Sequence, residues 1–260
     1  MTDDIGSVTQ TRDGHVLIIT VDRATKMNGF TPEMFEGMIA GLETLEADAD
    51  LWAGVVCFAG DHTTAGLDMP RFFGAEASER SVDPNRLDAF GLNRRCSKPV
   101  IMAVQGVTYT IGIEMLLGVD IVVAAEDCRF RQLEPRRGLA VFGGAHVRFV
   151  QRAGWGNAMY HLLRADEFDA MRALELGFVQ EVVPAGEQRT RAIELAQQIC
   201  ECAPIAVQEI KRAAFVYLTE GERAAFAEIP TMRERTLGSA DAAEGIASFR
   251  ERREARFTGK

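Results

Sequence analysis

The sequence predicts an α/β fold with a helical region at its C-terminal end. Three observations support this class. Short apolar, β-branched runs are typical of strands, and amphipathic helices lie between them. Residues 186–256 show helical periodicity without a convincing strand. We therefore expect residues 1–195 to form the core and residues 196–260 to form a helical C-terminal region.

The first third of the chain alternates strand-like and helix-like segments. HVLIITVDR at 15–23 alternates and is β-branched, and WAGVVCFAG at 52–60 is a second buried strand. Between them, the segment 31–50 opens with Thr-Pro and continues with apolar residues at helical spacing, which predicts an amphipathic helix. Asp68 follows in a turn-rich loop and is placed to cap a short helix around MPRFFG.

The middle of the chain repeats a rhythm of strand, strand or turn, and helix. KPVIMAVQG at 98–106 predicts a third strand, IGIEMLLGVD at 111–120 a short helix, and residues 120–134 a fourth strand unit. The chain becomes helical from about residue 143, and a further helix stops at Gly177 before a short strand.

Composition excludes several classes of protein. The 260 residues are 47% hydrophobic and 26% charged, as in an ordinary globular protein. The net charge of -9 argues against a nucleic acid or an anionic membrane as partner, because both attract a basic face. The N-terminal segment has no apolar signal region, and no apolar run is long enough for a membrane span. We expect a cytoplasmic protein.

The cysteines and histidines do not indicate a metal site. The five cysteines are odd in number, and their spacings match no zinc pattern, so we expect reduced thiols. The four histidines are scattered and match no metalloprotease or serine-hydrolase motif. The residues concerned are Cys57, Cys96, Cys128, Cys200, Cys202, His15, His62, His146 and His161.

Glu114 and Glu134 are the strongest candidates for chemistry. Glu114 lies within an apolar segment, where a carboxylate is costly unless it is hydrogen-bonded, paired or protonated. Two carboxylates in different surroundings can divide the roles of acid and base, because burial raises one pKa more than the other. The alternative is two structural acids in ion pairs. Glu134 has several basic neighbours in sequence: Arg129, Arg131, Arg136 and Arg137.

Two turns offer backbone N–H groups to a ligand. Ala65-Gly66-Leu67 follows a predicted strand, and Thr110-Ile111-Gly112 begins a predicted helix. Unpaired N–H groups at such places suit an anion or a developing oxyanion. Two of them converging on one carbonyl oxygen would form an oxyanion hole, although either turn alone is more simply an ordinary turn.

Together these segments resemble the crotonase, or enoyl-CoA hydratase/isomerase, superfamily along essentially the whole chain. VDRATKMNGF looks like the first CoA-contacting loop of that family, and AGLD like its first oxyanion turn. The stretch from KPVIMAVQG to FRQLE looks like its central signature, and ALELGFVQEVVP and GIASFRERREARFTGK also match in order and spacing. Each piece is weak alone, but five in the right order are strong.

The resemblance implies a fold, a chemistry and an assembly. The fold would be a spiral core of repeated strand-strand-helix units, assembled as a homotrimer or a dimer of trimers. The N–H groups of Leu67 and Ile111 would form the oxyanion hole, and Glu114 and Glu134 would be catalytic. One carboxylate would activate water and the other would handle the proton at the α-carbon. The implied substrate-binding residues are Lys26, Met27, Ala65, Gly66, Asp68, Gly112, Phe257 and Lys260.

The sequence departs from the family pattern at several positions. Thr110 and Ile111 stand where glycines are common, which predicts a narrower pocket. Ala24 replaces the usual proline after the arginine of the first loop. Arg136 and Arg137 follow Glu134 directly. If either paired with Glu134 it would lower the pKa of that carboxyl, but both could instead point to solvent or to a neighbouring subunit.

Hydration of a trans-2-enoyl-CoA in fatty acid metabolism is the activity that the resemblance favours. The thioester is the substrate, so no separate cofactor is expected. The alternatives are an isomerase that shifts the double bond and a non-catalytic acyl-CoA-binding paralogue. Aromatic candidates for the acyl pocket, with buried scaffold as the alternative, are Phe72, Phe73, Tyr109, Phe142 and Trp155.

The helices of the C-terminal region carry apolar stripes that the core of one subunit is not expected to cover. These stripes therefore predict packing on a partner subunit. The residues concerned are Ile193, Leu195, Ala196, Ile210, Ala214, Phe215, Ile246 and Phe249.

Overall fold

The computed structural model describes residues 4–74 and 83–260 and has the predicted α/β class, with a helical C-terminal region. Within these residues the strands form two sheets. In chain order they are β1 Ser7–Asp13, β2 Val16–Asp22, β3 Ala53–Phe58, β4 Val100–Val104, β5 Val107–Tyr109, β6 Ile121–Ala125, β7 Arg129–Arg131, β8 Phe168–Asp169 and β9 Glu181–Val183.

The longest predicted helix begins where its start signal lies. Thr31 accepts a hydrogen bond from Met34 N at 3.2 Å, and Pro32 occupies the first helical position.

Among the described residues, no helix is both long and apolar enough to cross a membrane. The helices are α1 Pro32–Ala47, α2 Met69–Phe73, α3 Ile111–Leu116, α4 Ala145–Arg164, α5 Ala170–Glu175, α6 Gln188–Cys200, α7 Pro204–Glu220, α8 Glu222–Ala227, α9 Ile229–Leu237 and α10 Ala240–Glu251.

The larger sheet has the strand order β1-β2-β3-β4-β6-β9. Its strands are parallel except for the antiparallel pair of β1 and β2. Sequence reasoning missed β1, because its residues are mostly exposed and polar at the edge of the sheet. An edge strand with little buried surface carries no apolar alternation for a pattern to detect.

The smaller sheet, β5-β7-β8, carries the turns that surround the candidate site. The chain passes from β4 to β5 and then into α3, and from β6 to β7 and then into a short turn before α4. This succession is the predicted strand-strand-helix unit. It brings the residues that follow β5 and the residues that follow β7 to the same side of the molecule, because β5 and β7 are parallel.

The larger sheet is covered on both faces, which explains why its central strands are continuously apolar. Leu17 and Ile19 of β2 face the main core, which also receives α1 and α3. Ile18 of the same strand faces the opposite side, where it joins Ala192 and Ala196 of α6. Successive side chains of a strand point to opposite faces, so each strand contributes to both layers.

The packing of α6 corrects the prediction for the helical region. Ile193, Leu195 and Ala196 are not surplus, because they pack on the larger sheet of their own chain. The predicted boundary after residue 195 therefore falls inside a helix that belongs to the core. Beyond α6, Ile246 is 51% exposed and Phe249 is 85% exposed, and the packing of these residues on a partner stays a prediction.

Candidate active site

A cavity of about 950 Å³ lies between α1, the turn after β3, α3 and the segment after β7. Both candidate acids line it, as do both residues of the predicted oxyanion hole. A concave, mostly apolar cavity with a few convergent polar groups is the usual form of a small-molecule site. The apolar lining includes Phe35, Leu87, Phe90, Leu133, Leu139 and Ala140.

Glu114 is buried on α3, with 2% of its surface exposed. Its Oε1 accepts hydrogen bonds from Gly143 N at 2.7 Å and Ala145 N at 3.3 Å, at the beginning of α4, which is interrupted further on by the non-helical backbone of Gly154. Burial raises the pKa of the Glu114 carboxyl, and the two N–H groups and Arg148 oppose that rise. The carboxylate is therefore oriented by the helix end while it remains more basic than an exposed glutamate.

Gly143 was not identified from the sequence, yet it controls the position of Glu114. A Cβ atom at Gly143 would lie 2.5 Å from Glu114 Oε2 and 2.7 Å from Glu114 Cδ. We expect Gly143→Ala to displace the carboxylate and to lower turnover about 10- to 100-fold, since a shift of about 1 Å at a reacting group has effects of this size. Steady-state kinetics on an enoyl-CoA would measure it.

The matched control is Gly156→Ala, in the part of α4 that follows the break at Gly154. Gly156 has no neighbour within 4 Å of an added Cβ, and its backbone needs no positive φ. This variant should keep full activity and fold at least as stably, because alanine favours a helix over glycine. Equal activity of the Gly143 and Gly156 variants would contradict the role given to Gly143.

Glu134 opens a short 3-10 turn, Glu134–Arg137, directly after β7. Burial raises the pKa of its carboxyl to about 7; its own backbone N–H opposes this, and the negative charge of Glu114 adds to the rise. Within the described residues, the buried Oε2 atom has no hydrogen-bond partner. Glu134 can therefore hold or release a proton near neutral pH, whereas the two N–H donors favour the charged form of Glu114 against the effect of burial.

The arginines after Glu134 do not neutralise it. Arg136 Nη2 donates to the carbonyl of Arg164 at 3.4 Å, and Arg137 lies on the cavity wall. Arginine is not a cause of the Glu134 pKa shift, which is upward. Among the described residues Glu134 makes no ion pair, and Arg136 and Arg137 are exposed, in agreement with the alternative that they point to solvent.

The first predicted oxyanion turn presents the N–H of Leu67 to the cavity. Phe30 N donates to Gly66 O at 2.9 Å, and Asp68 N donates to Phe30 O at 2.8 Å. These bonds fix the peptides on either side of Leu67, and in the described chain the Leu67 N–H has no protein acceptor. Gly66 has a φ of +118°, which a residue with a side chain rarely adopts.

The second turn lies beside the first. Thr64 N donates to Val107 O and Tyr109 N donates to Thr64 O, both at 3.0 Å, so the two turns are joined by a parallel bridge between Thr64 and Thr108. Ile111 is the first residue of α3, and its N–H therefore has no partner within the helix. The structure thus brings the two predicted donors to one cavity.

Gly112 has a different role from the one predicted. It is buried and does not line the cavity. A Cβ at this position would lie 2.8 Å from Thr64 Cγ2 and 3.2 Å from Thr108 Cγ2. Gly112 therefore permits close packing of the two turns, and its contact with substrate stays a prediction.

Asn28 links the first loop to the first oxyanion turn and was missed from the sequence. It is fully buried. Its Oδ1 accepts from Arg23 N at 2.7 Å, and its Nδ2 donates to Ala59 O at 2.9 Å and His62 O at 2.7 Å. Its carbonyl accepts from Thr64 Oγ1 at 2.7 Å. The Asn-Gly pair was the available signal, since Asn tolerates the positive φ of 48° found here.

Three of the residues predicted to bind substrate, Lys26, Met27 and Asp68, do not line the cavity. The Asp68 carboxylate precedes α2 but does not cap it; it pairs with Arg23 Nη1 at 2.8 Å. Lys26 and Met27 lie on an exposed turn outside the cavity lining. Met27 O accepts from Ala65 N at 3.0 Å, and Ala65 itself lines the cavity, while its contact with substrate stays a prediction.

The C-terminal residues fold back on their own chain. The Asp241 carboxylate accepts from Thr258 N at 2.7 Å and Gly259 N at 2.8 Å, and Asp241 N donates to Lys260 O at 3.1 Å. Neither Phe257 nor Lys260 lines the cavity of the same chain. A role for them in binding substrate therefore requires the cavity of a second subunit.

The aromatic candidates divide into two groups. Phe72, Phe73 and Phe142 line the cavity. Phe73 is 58% and Phe142 is 69% exposed, so the alternative interpretation as buried scaffold is wrong for these two. Trp155, which is 70% exposed, and Tyr109 do not line the cavity.

The thiols and possible metal ligands form no further centre in the part of the chain that the structure describes. All five cysteines are free, and burial raises the pKa of Cys96 and Cys128 to about 12, which makes them unreactive. No group of three or more His, Cys, Asp or Glu side chains in these residues is arranged to hold a metal ion.

Similar proteins share this architecture over nearly the whole chain. The family model for "Enoyl-CoA hydratase/isomerase" matches residues 11–260. Enoyl-CoA hydratase EchA19 of Mycobacterium tuberculosis is 33% identical over 96% of this chain and 95% of its own. A probable enoyl-CoA hydratase/isomerase from Mycobacterium abscessus is 40% identical with a TM-score of 0.93, covering 97% of this chain and 98% of that one. An enoyl-CoA hydratase from Mycobacterium tuberculosis H37Rv is 32% identical with a TM-score of 0.90, covering 97% and 99%.

Proposed function

Because the chain belongs to the enoyl-CoA hydratase/isomerase family, of the crotonase superfamily, we propose that it adds water across the double bond of a trans-2-enoyl-CoA. The observation that carries the proposal is the pair of carboxyl groups in one cavity, Glu114 hydrogen-bonded to two N–H groups and Glu134 with a pKa of about 7. Two carboxyl groups in such different surroundings can divide the roles of base and acid. Within this reaction, coenzyme A is part of the substrate and no separate cofactor is needed.

The two carboxyl groups take different roles in the proposed reaction. Glu114 is the base: its carboxylate, oriented by Gly143 N and Ala145 N, binds the attacking water and removes its proton. Glu134 is the acid: it gives its proton to the α-carbon of the substrate. Oxygen adds to the β-carbon, so the water supplies one proton to Glu114 and Glu134 supplies another to the product.

The two turns stabilise the charge that develops between these steps. As the water oxygen attacks, electron density moves onto the thioester carbonyl and produces an enolate. The N–H groups of Leu67 and Ile111 donate to that oxygen, which is favoured where water is excluded and the donors are already oriented. Both donors are free of protein acceptors in the described residues, which supports this assignment.

A panel of enoyl-CoA thioesters tests the proposal. Hydration removes the conjugation between the double bond and the thioester, so absorbance should fall with time on 2-enoyl-CoA substrates. A 3-enoyl-CoA that gains conjugated absorbance without net hydration would identify an isomerase instead. A ligand that binds in calorimetry but is not converted would identify a non-catalytic acyl-CoA-binding protein. Either of the last two results refutes hydration.

We propose further that the chain forms a homotrimer, or a dimer of trimers, in which Phe257 and Lys260 reach the coenzyme A of a neighbouring subunit. Lys26 and Met27 would contact the same moiety from their exposed turn. The exposure of Phe249 at 85% and Ile246 at 51% supports packing on a partner, because large apolar side chains gain free energy when they leave water.

Phe249→Glu should dissociate the oligomer and raise the apparent dissociation constant of a coenzyme A ligand. The added charge would have to be buried without a partner, which is costly. Light scattering and calorimetry measure the two effects, with Arg250→Ala on the same helix as control. An unchanged molecular mass for the Phe249 variant would show that this face of α10 is not part of the assembly.

A further inference from the structure

Thr110 adopts a backbone conformation that ordinarily needs glycine. Its φ is 49° and its ψ is -112°. A β-branched residue is especially disfavoured at positive φ. The conformation is held by the Thr110 N–H, which donates to Arg131 O at 2.8 Å, and by the carbonyl, which accepts from Ile113 N at 2.9 Å and Glu114 N at 3.1 Å. Strain retained in this way at a cavity points to a use for the side chain.

The Thr110 side chain lies between the two oxyanion turns. It lines the cavity next to Ile111, and a Cβ added to Gly66 would be 2.7 Å from Thr110 Oγ1. Its hydroxyl is thus close to Gly66, which directly precedes Leu67. Thr110 also directly precedes Ile111, the other predicted donor. A carbonyl oxygen held by the N–H groups of Leu67 and Ile111 would lie within this same space.

Among the threonines of these two turns, Thr110 is the one whose hydroxyl makes no hydrogen bond within the described residues. Thr63 Oγ1 donates to Gln105 O at 3.1 Å, and Thr64 Oγ1 donates to Asn28 O at 2.7 Å. Thr108 Oγ1 donates to Gln105 O at 3.4 Å. Within residues 4–74 and 83–260, Thr110 Oγ1 has no hydrogen-bond partner. It is therefore available to a bound ligand.

We propose that the Thr110 hydroxyl is a third oxyanion donor, which gives a hydrogen bond to the thioester oxygen as negative charge develops on it. The proton stays on Thr110 throughout, so no group is transferred. This role rests on the proposed function, because it concerns the same enolate. It makes Thr110 a catalytic residue at a position where the family pattern commonly has glycine.

Three substitutions separate the hydroxyl from the shape and strain of the side chain. Thr110→Val keeps the branched shape and removes the hydroxyl. Thr110→Ser keeps the hydroxyl, and Thr110→Gly removes the side chain and relieves the positive φ. If Thr110 only narrowed the cavity, the valine variant would behave as the wild type and the glycine variant would gain stability without losing turnover.

On a 2-enoyl-CoA substrate, Thr110→Val should lower kcat about 10- to 100-fold, the range expected for a hydrogen bond to a charged oxygen. KM should change by less than about 3-fold, because the bond strengthens mainly in the transition state. Thr110→Ser should stay within about 3-fold of wild-type kcat. Thr110→Gly should lose turnover while its Tm rises. Wild-type kcat in the valine or glycine variant would overturn the proposal.

A binding measurement keeps this test separate from the test of hydration. The probe is a CoA thioester with an electron-donating aryl acyl group, whose absorption moves to longer wavelength when its carbonyl is polarised. Wild type and Thr110→Ser should give the same shift, and Thr110→Val a smaller one. If wild type shifts the probe but converts no enoyl-CoA, hydration fails while the Thr110 contact stands. An equal shift in wild type and Thr110→Val overturns the contact.

Discussion

Glu114→Gln and Glu134→Gln should each lower turnover of an enoyl-CoA by at least about 100-fold, the usual scale for a positioned acid or base. A glutamine amide has nearly the same shape as the carboxyl but neither takes nor gives a proton at neutral pH. In the Glu114 variant the amide oxygen can still accept from Gly143 N and Ala145 N, so the helix end remains capped. Stopped-flow or steady-state absorbance would measure the loss.

Folding and ligand affinity serve as controls for these two variants. Both should keep the wild-type circular dichroism spectrum and bind acyl-CoA with a dissociation constant within a few-fold of the wild type. Retention of most of the activity by either variant would remove that residue from the mechanism.

The Glu134 variant also carries a pH signature. The folded pKa of Glu134 is about 7, above the ordinary value of 4.5. Protonation of Glu134 therefore contributes fully to the free energy of unfolding below about pH 4.5, and this contribution is lost as the pH rises through 7. The unfolding free energy of wild type, relative to Glu134→Gln, should therefore fall between pH 5 and pH 8, on the order of 1 kcal/mol after allowance for solvent screening. Denaturant titrations at several pH values would measure it. A pH-independent difference would contradict the raised pKa.

Ile111→Pro should abolish most of the activity by removing one oxyanion donor, with an expected loss of about 100- to 1000-fold in kcat. Proline is accommodated at the first position of a helix, where the missing N–H has no intrahelical acceptor, so α3 should persist. Proline restricts the preceding residue, and Thr110 is already strained. The comparison is therefore made between Thr110→Gly and the double variant Thr110→Gly, Ile111→Pro.

Ile111→Val is the companion control. It keeps the N–H and most of the apolar volume, and it should remain within a few-fold of wild type. If the double variant retains the activity of its Thr110→Gly parent, the Ile111 N–H does not hold the oxyanion.

The local sequence pattern was sufficient to predict the fold class and most of the helices and strands. The apolar alternation of β2, the Thr-Pro start of α1 and the run of β4 are properties of consecutive residues, and the structure has each of them within a few residues of the prediction. The improbable position of Glu114 was also visible, because a single acid in an apolar segment stands out from its neighbours. The order of the motifs then indicated the family.

Tertiary structure alone decided how the candidate site is built. Glu114 is hydrogen-bonded to Gly143, which follows much later in the chain, and Asn28 fixes the turn at Thr64 across another long interval. The direction of the Glu134 pKa shift could not be read from its basic neighbours Arg136 and Arg137, since burial and Glu114 determine it. Contacts of this kind have no period along the chain.

The same reason explains the error over the C-terminal helices. The stripes of α6 and α10 look alike in sequence, yet Ala196 is buried on the sheet while Phe249 is 85% exposed. A stripe of apolar residues at helical spacing shows only that one face of the helix is apolar. Which surface covers that face depends on where the sheet lies, and this is settled when strands distant in sequence pair with one another. The sequence by itself thus determined most of the elements and the candidate acids, and only the packed structure decided their neighbours, their burial and hence their pKa values.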